Sequence, residues 1–214
     1  MANQDKKETS RKLSAREEKR FREFNEKCER WVADGYTRTD LTVSIVKANV
    51  FAIGMFVPLI VVFGGLFFLV NRNRFSFNGK TMMLALTVFY LLSIVIHEGI
   101  HGITWSLFSK NGNKDIEYGF MVEYLTPYAT CKEPLLKKPY IIGALMPCII
   151  LGIIPSILSI VLNSFSMLVY GIMMIASAGG DILIVWEILK HPSEKKEQFY
   201  MDHPTQAGGV LFEK

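Results

Sequence analysis

The sequence predicts a mainly α-helical integral membrane protein: four transmembrane helices, a cytosolic N-terminal amphipathic helix, and a small β-hairpin between spans two and three. Three observations carry this. Half of the 214 residues are apolar and 15 are Phe, although a soluble domain of this length could also bury such a composition. The distribution decides: charge is dense up to Lys47, and four long stretches after it are almost free of charge. Runs of 18 or more apolar residues read as membrane helices, because ~20 residues at ~1.5 Å rise cross a ~30 Å hydrocarbon core. Lastly, all 24 Lys and Arg lie outside these runs or at their ends.

Taken in order, residues 1–39 form a charged cytosolic segment. Residues 1–9 are polar and expected to be disordered. Ser14-Ala15-Arg16-Glu17 has the form of a capping box, in which Ser and Glu side chains satisfy each other's free amides. It predicts a helix over 15–34 with Phe21, Phe24, Cys28 and Trp31 on one face and Gly35 as its stop. That stripe can pack on the rest of the protein or lie in the lipid headgroups. Asp40 is expected to cap a helix running into the first span.

The membrane domain covers 40–190, with spans at about 48–70, 81–109, 140–162 and 165–189. The second is longer than a bilayer needs, so it is tilted or protrudes. A charged segment this long ahead of the first span is no signal-peptide n-region, so that span is expected to remain in the mature protein. Between spans two and three, Asn111-Gly112-Asn113 signals a turn. Ile116, Tyr118, Phe120, Val122 and Tyr124 then alternate with Glu117, Gly119, Met121 and Glu123, the period of a half-buried strand. A second strand, Tyr128 to Lys132, can pair with it around Thr126-Pro127. Residues 191–214 form a tail.

Charge placement sets the expected topology. With the N-terminus in the cytosol, 21 basic residues lie inside and 3 outside, which the positive-inside rule favours. Both termini are then cytosolic, in a multi-pass protein of the cell membrane. The net charge of +4 therefore reads as a topology signal and a contact with the lipid bilayer, not with nucleic acid. Cys28, Cys131 and Cys148 fall in the cytosol or the membrane and are expected as free thiols. No glycine-rich phosphate loop is present.

Two acidic residues, Glu98 and Asp181, are embedded in the spans. Each costs roughly 2.5–3.5 kcal/mol near a helix centre, and apolar packing would avoid that cost. In His97-Glu98-Gly99-Ile100-His101 the two histidines are four apart, so a helix projects both imidazoles from one face toward one zinc ion. Glu98, one position round, can reach a zinc-bound water as general base. A third protein ligand is needed, and Asp181 is the strongest candidate on depth. Spans two and four run the same way, and His97 and Asp181 each lie sixteen residues in, roughly 24 Å from the outer boundary. Gly99, Gly102, Ala176, Gly179 and Gly180 are small enough for close helix approach. Glu187 and His203 are the alternative third ligands, and His191 reads as a helix-end histidine.

At these residues the chain resembles a bacterial family of membrane zincin peptidases. The resemblance runs from about 36 to 210 and rests on His97-Glu98-Gly99-Ile100-His101-Gly102, Cys131-Lys132-Glu133-Pro134, Pro147, Pro155 and Gly180-Asp181. More distantly, the order of HExxH helix, hairpin and Asp-bearing span is similar to the site-2 protease group of intramembrane metalloproteases. The resemblance implies His97, His101 and Asp181 as zinc ligands and Glu98 as catalytic base. One departure is that Gly179-Gly180 precedes Asp181 and Ile182 follows, where site-2 proteases usually place Gly after the Asp. The implied function is zinc-dependent hydrolysis of peptide bonds in membrane or juxtamembrane protein substrates. One rival is an anchored peptidase cutting soluble proteins at the cytosolic face. The other is a non-catalytic metal-binding membrane protein, a chaperone or transport accessory, although a binding site alone has no need of Glu98.

Overall fold

The computed structural model describes residues 15–72, 79–121 and 126–214. The disordered start expected for 1–9, the Ser14 cap and strand positions 122–124 lie outside the described residues. In chain order the elements are α1 (Ala15–Ala33), β1 (Thr37–Asp40), α2 (Ile45–Asn71), α3 (Gly79–Ser106), β2 (Ile116–Met121) and β3 (Thr126–Cys131). Then follow β4 (Leu135–Leu136), α4 (Lys137–Leu162), α5 (Phe165–Ser177), α6 (Gly179–Lys190), β5 (Gln198–Asp202) and β6 (Gly209–Glu213).

Helix α1 opens with Glu17 and Glu18 and carries Arg30 in its last turn, each charge on the favourable end of the helix dipole. Gly35, at φ +90°, ends it in a left-handed turn that a Cβ would strain. The apolar stripe packs inward. Phe24 and Cys28 are buried against Met201, Val210 and Phe212, and Trp31 sits among Tyr36, Phe199 and Phe212.

What α1 packs on is an antiparallel sheet of order β1-β6-β5-β4, drawn from both ends of the chain and, for β4, from its middle. Strand β6 is buried at all five positions because it is covered on both faces. Val210 and Phe212 point to α1, while Leu211 joins Tyr140, Ile188 and Tyr200 on the helix side. Asp40 therefore ends a strand instead of capping a helix: its carboxylate accepts from the Thr42 amide. Ser44 is the N-cap of α2, accepting from Lys47 N.

Helices α2, α3 and α4 are each long and apolar enough to cross a membrane, and α5 with α6 makes a fourth span if the bent pair is counted as one. Their outward residues include Val57, Val61 and Leu69 on α2 and Phe89, Leu91 and Val95 on α3. Proline shapes two of them. Pro58 precedes a π-helical turn at Ile60–Gly64 in α2, and Pro147 one at Cys148–Ile153 in α4, where the missing N–H breaks the i→i−4 ladder.

The fourth span departs from the straight helix expected over 165–189. It breaks at Ala178, and its halves bend by 47°. Gly179 lies at this break against α2, where a Cβ would come within 2.7 Å of the Ala52 Cα. The other small residues do not all serve the close approach expected of them. Gly99 and Gly180 face open space, and Gly102 meets Tyr118 of the hairpin.

The hairpin pairs Ile116 with Cys131 and Met121 with Thr126. Thr126 and Pro127 thus stand inside β3 instead of at the turn expected there. Ile116 is buried, whereas Tyr118 and Phe120 are about half exposed. Arg20 of α1 clamps the hairpin, donating to Tyr128 Oη (2.5 Å) and Thr130 Oγ1 and pairing with Glu117 (3.2 Å).

Candidate metal centre

Helix α3 turns the 97/101 spacing into a pair. His97 Nε2 and His101 Nε2 lie 3.1 Å apart, with both residues buried. The break at Ala178 places Asp181 in the first turn of α6, near the positive end of a half-helix, where a carboxylate is favoured. Its Oδ2 lies 3.2 Å from His97 Nε2 and 3.5 Å from His101 Nε2. Ligand atoms from all three residues fall within 4.8 Å of one another.

The donor set fits zinc. Bonds of ~2.0–2.1 Å in tetrahedral array place neighbouring ligand atoms about 3.3 Å apart, and the 3.1–3.5 Å separations bracket that value. The tautomer fits as well. His101 Nδ1 donates to the Gly143 carbonyl at 2.9 Å, which leaves the Nε2 lone pair free for a cation. Two imidazole nitrogens and a carboxylate oxygen facing one another are stable only with positive charge or protons between them.

A stack holds the His101 ring. It lies on Trp105 at 4.9 Å and 14°, and Trp105 lies on Tyr140 at 5.4 Å and 18°. The Trp105 indole N–H donates to the Tyr140 carbonyl at 3.1 Å. Gly143 permits the arrangement, since a Cβ there would run into the indole.

Glu98 points from α3 to the hairpin, where its Oε2 accepts from the Ala129 amide at 2.7 Å. Glu98, His101 and Asp181 line one cavity of about 240 Å³, slightly below the usual range of ligand pockets. The segment from Asp202 to Gly208 forms another of its walls.

The other candidates lie elsewhere or are otherwise engaged. Glu187 pairs with Lys47 at 2.6 Å. His191, at the end of α6, pairs with Glu213 at 3.2 Å. His203 reaches the cavity because the tail folds back, but its Nδ1 accepts from the Thr205 and Gln206 amides at 3.3 and 3.0 Å. That occupies the lone pair a metal would need.

Sequence reasoning missed the Gly143 carbonyl, Trp105, the Ala129 amide and Asp202. Asp202 accepts from Tyr140 Oη at 2.6 Å and from Cys131 N at 3.0 Å, tying the tail to α4 and β3. Burial pushes its carboxyl up to about 6 despite these two bonds, which favour the charged form. Its only signal was a polar trio, Asp202-His203-Pro204, in the tail.

No curated protein and no solved structure matches the chain. Residues 90–195 match a protein family described as putative zincin peptidase. Over this stretch, which carries His97, Glu98, His101, Gly143 and Asp181, the chain belongs to that family.

Proposed function

We propose that the protein is a zinc-dependent endopeptidase embedded in the membrane, hydrolysing peptide bonds of membrane or juxtamembrane protein substrates. The observation that carries the reading is the convergence of His97, His101 and Asp181 at tetrahedral spacing, beside a carboxylate that opens onto the same cavity. Zinc there supplies Lewis acidity, polarising a peptide carbonyl and making an attacking water more acidic.

Every other task falls to the chain. His97, His101 and Asp181 hold the ion, and Gly143 orients His101. Glu98 accepts the proton of the attacking water and later delivers it to the leaving amine, so that water's oxygen joins the carbonyl carbon and the C–N bond breaks. The Ala129 amide holds one Glu98 oxygen, leaving the other to move the proton. The Ala129 and Cys131 amides donate to partners outside the hairpin, Glu98 and Asp202, so this edge of β3 faces the site. The order of HExxH helix, hairpin and Asp-bearing span supports an enzyme of the site-2 protease type.

Apolar outer faces on α2 and α3, together with the distribution of Lys and Arg, support four crossings with both termini cytosolic. The test is zinc content by elemental analysis of detergent-purified wild type, Glu98→Gln and Asp181→Ala. We expect about one zinc per chain in the first two and clear loss in the third. Full zinc in Asp181→Ala would remove Asp181 from the ligand set. A metal-replete wild type without zinc would overturn the peptidase reading, and loss of zinc in Glu98→Gln would favour a binding-only protein.

A further inference from the structure

Among the polar groups on the cavity wall, most are already engaged. Arg20 is spent on Tyr128, Thr130 and Glu117. The Tyr140 hydroxyl is spent on Asp202. His203 differs. Its Nδ1 accepts from two amides of its own turn, which places the ring proton on Nε2. Among the described residues no partner takes that N–H. The ring is pinned edge-on by Phe21 at 5.9 Å and Phe24 at 5.1 Å, so the donor is fixed in direction before any substrate arrives.

We propose that His203, which lines the same cavity as Glu98, is a catalytic residue whose Nε2–H receives the negative charge developing on the scissile carbonyl oxygen. The assignment rests on the peptidase reading above. A pre-set donor needs no reorganisation as charge builds, which is what makes such a hydrogen bond effective. The imidazole stays neutral: burial pushes it down to about 4, with Asp40 opposing and Arg38 reinforcing the shift. A neutral donor adds no fixed positive charge beside the cation site.

Two measurements test this. The first reads the tautomer by nitrogen NMR of histidine-labelled protein, with and without zinc. We expect a neutral His203 bearing its proton on Nε2 from pH 6 to 8. A proton on Nδ1, or an imidazolium at pH 7, overturns the proposal whatever the enzyme cleaves.

The second follows cleavage of fluorescein-labelled casein in detergent by wild type, Glu98→Gln, His203→Asn, His203→Gln and Tyr128→Phe, with zinc content measured on each. Asn keeps an acceptor for the Thr205 and Gln206 amides but is too short to replace the donor. We expect His203→Asn to lose about 10²–10³-fold in kcat, with KM little changed and zinc retained. His203→Gln, whose amide reaches further, should recover part of that loss. Equal kcat in His203→Asn and wild type sinks the proposal alone. So does loss of zinc in His203→Asn, or a larger kcat loss in Tyr128→Phe, whose hydroxyl keeps its own proton. Casein cleavage that persists in Glu98→Gln removes the peptidase reading and this assignment with it.

Discussion

At Gly143 a methyl group would collide with the indole on which His101 stacks. The same residue's carbonyl takes the His101 Nδ1 proton, so one position governs both the tilt and the tautomer of a ligand. We expect Gly143→Ala to cost about 1–3 kcal/mol by overpacking. Disturbing the partner of a metal-binding imidazole should also weaken zinc about 10–100-fold. Competition against a chelator of known affinity reads this, and an unchanged affinity would show that His101 is held some other way.

Two neighbours in the tail titrate in opposite senses. His203 is held down to about 4 from an ordinary ~6.5. The native state therefore binds fewer protons than the unfolded one in that window, and His203's contribution is full above ~6.5 and lost as pH falls toward 4. Asp202 is raised to about 6 from ~3.9, so its contribution is greatest below ~4 and lost as pH rises toward 6. The two largely cancel in wild type. Asp202→Asn should then lose more stability between pH 7 and 5 than wild type, and His203→Asn less. Thermal midpoints from tryptophan fluorescence at the two pH values check this, and identical pH dependence in both variants would refute it.

At the scale of elements, the tail hairpin is the keystone of the four-stranded sheet. Phe212 lies between α1 and the strand layer, fully buried against Phe24, Cys28 and Trp31. Truncating it to Ala should cost about 3–5 kcal/mol. Because Phe212 packs with Phe24, Cys28 and Trp31 of the α1 stripe, the opening should expose Cys28, which is buried in the native state. Faster maleimide labelling of Cys28 in Phe212→Ala is the expected reading, and an unchanged rate would mean that α1 stays docked through its Arg20 and Lys27 contacts alone.

Over the whole molecule, the helical bundle and the sheet meet at the cavity. α3 brings the histidines and Glu98, α6 brings Asp181, β3 brings the Ala129 amide, and the tail brings Asp202 and His203. In the proposed topology, with both termini in the cytosol, that sheet stands on the inner side. A membrane-impermeant maleimide should therefore label Leu162→Cys, next to the turn joining α4 and α5, in intact cells. Ser193→Cys should react only after the membrane is opened. The reverse pattern would invert the topology while leaving the metal centre intact.

The sequence by itself determined the helical framework and the core of the centre, because both depend on local periodicity. The apolar runs mark the helices within a few residues of where α2, α3 and α4 lie. The 97/101 spacing puts two imidazoles on one face of any helix, and equal depth in two spans singled out Asp181. The Phe24–Cys28–Trp31 stripe was legible as a face, though not what it faces. Only the tertiary structure decided the rest. Strands β5 and β6 have five residues each, too few for period two to declare itself, and the pairing of β6 with β1 joins segments at opposite ends of the chain. The bend at Ala178, the Gly143 carbonyl, the Ala129 amide and the cavity wall of the tail arise from backbone groups and long-range packing. A backbone amide or carbonyl carries no signature in the sequence, since every residue has one and only the fold selects which of them meets the site.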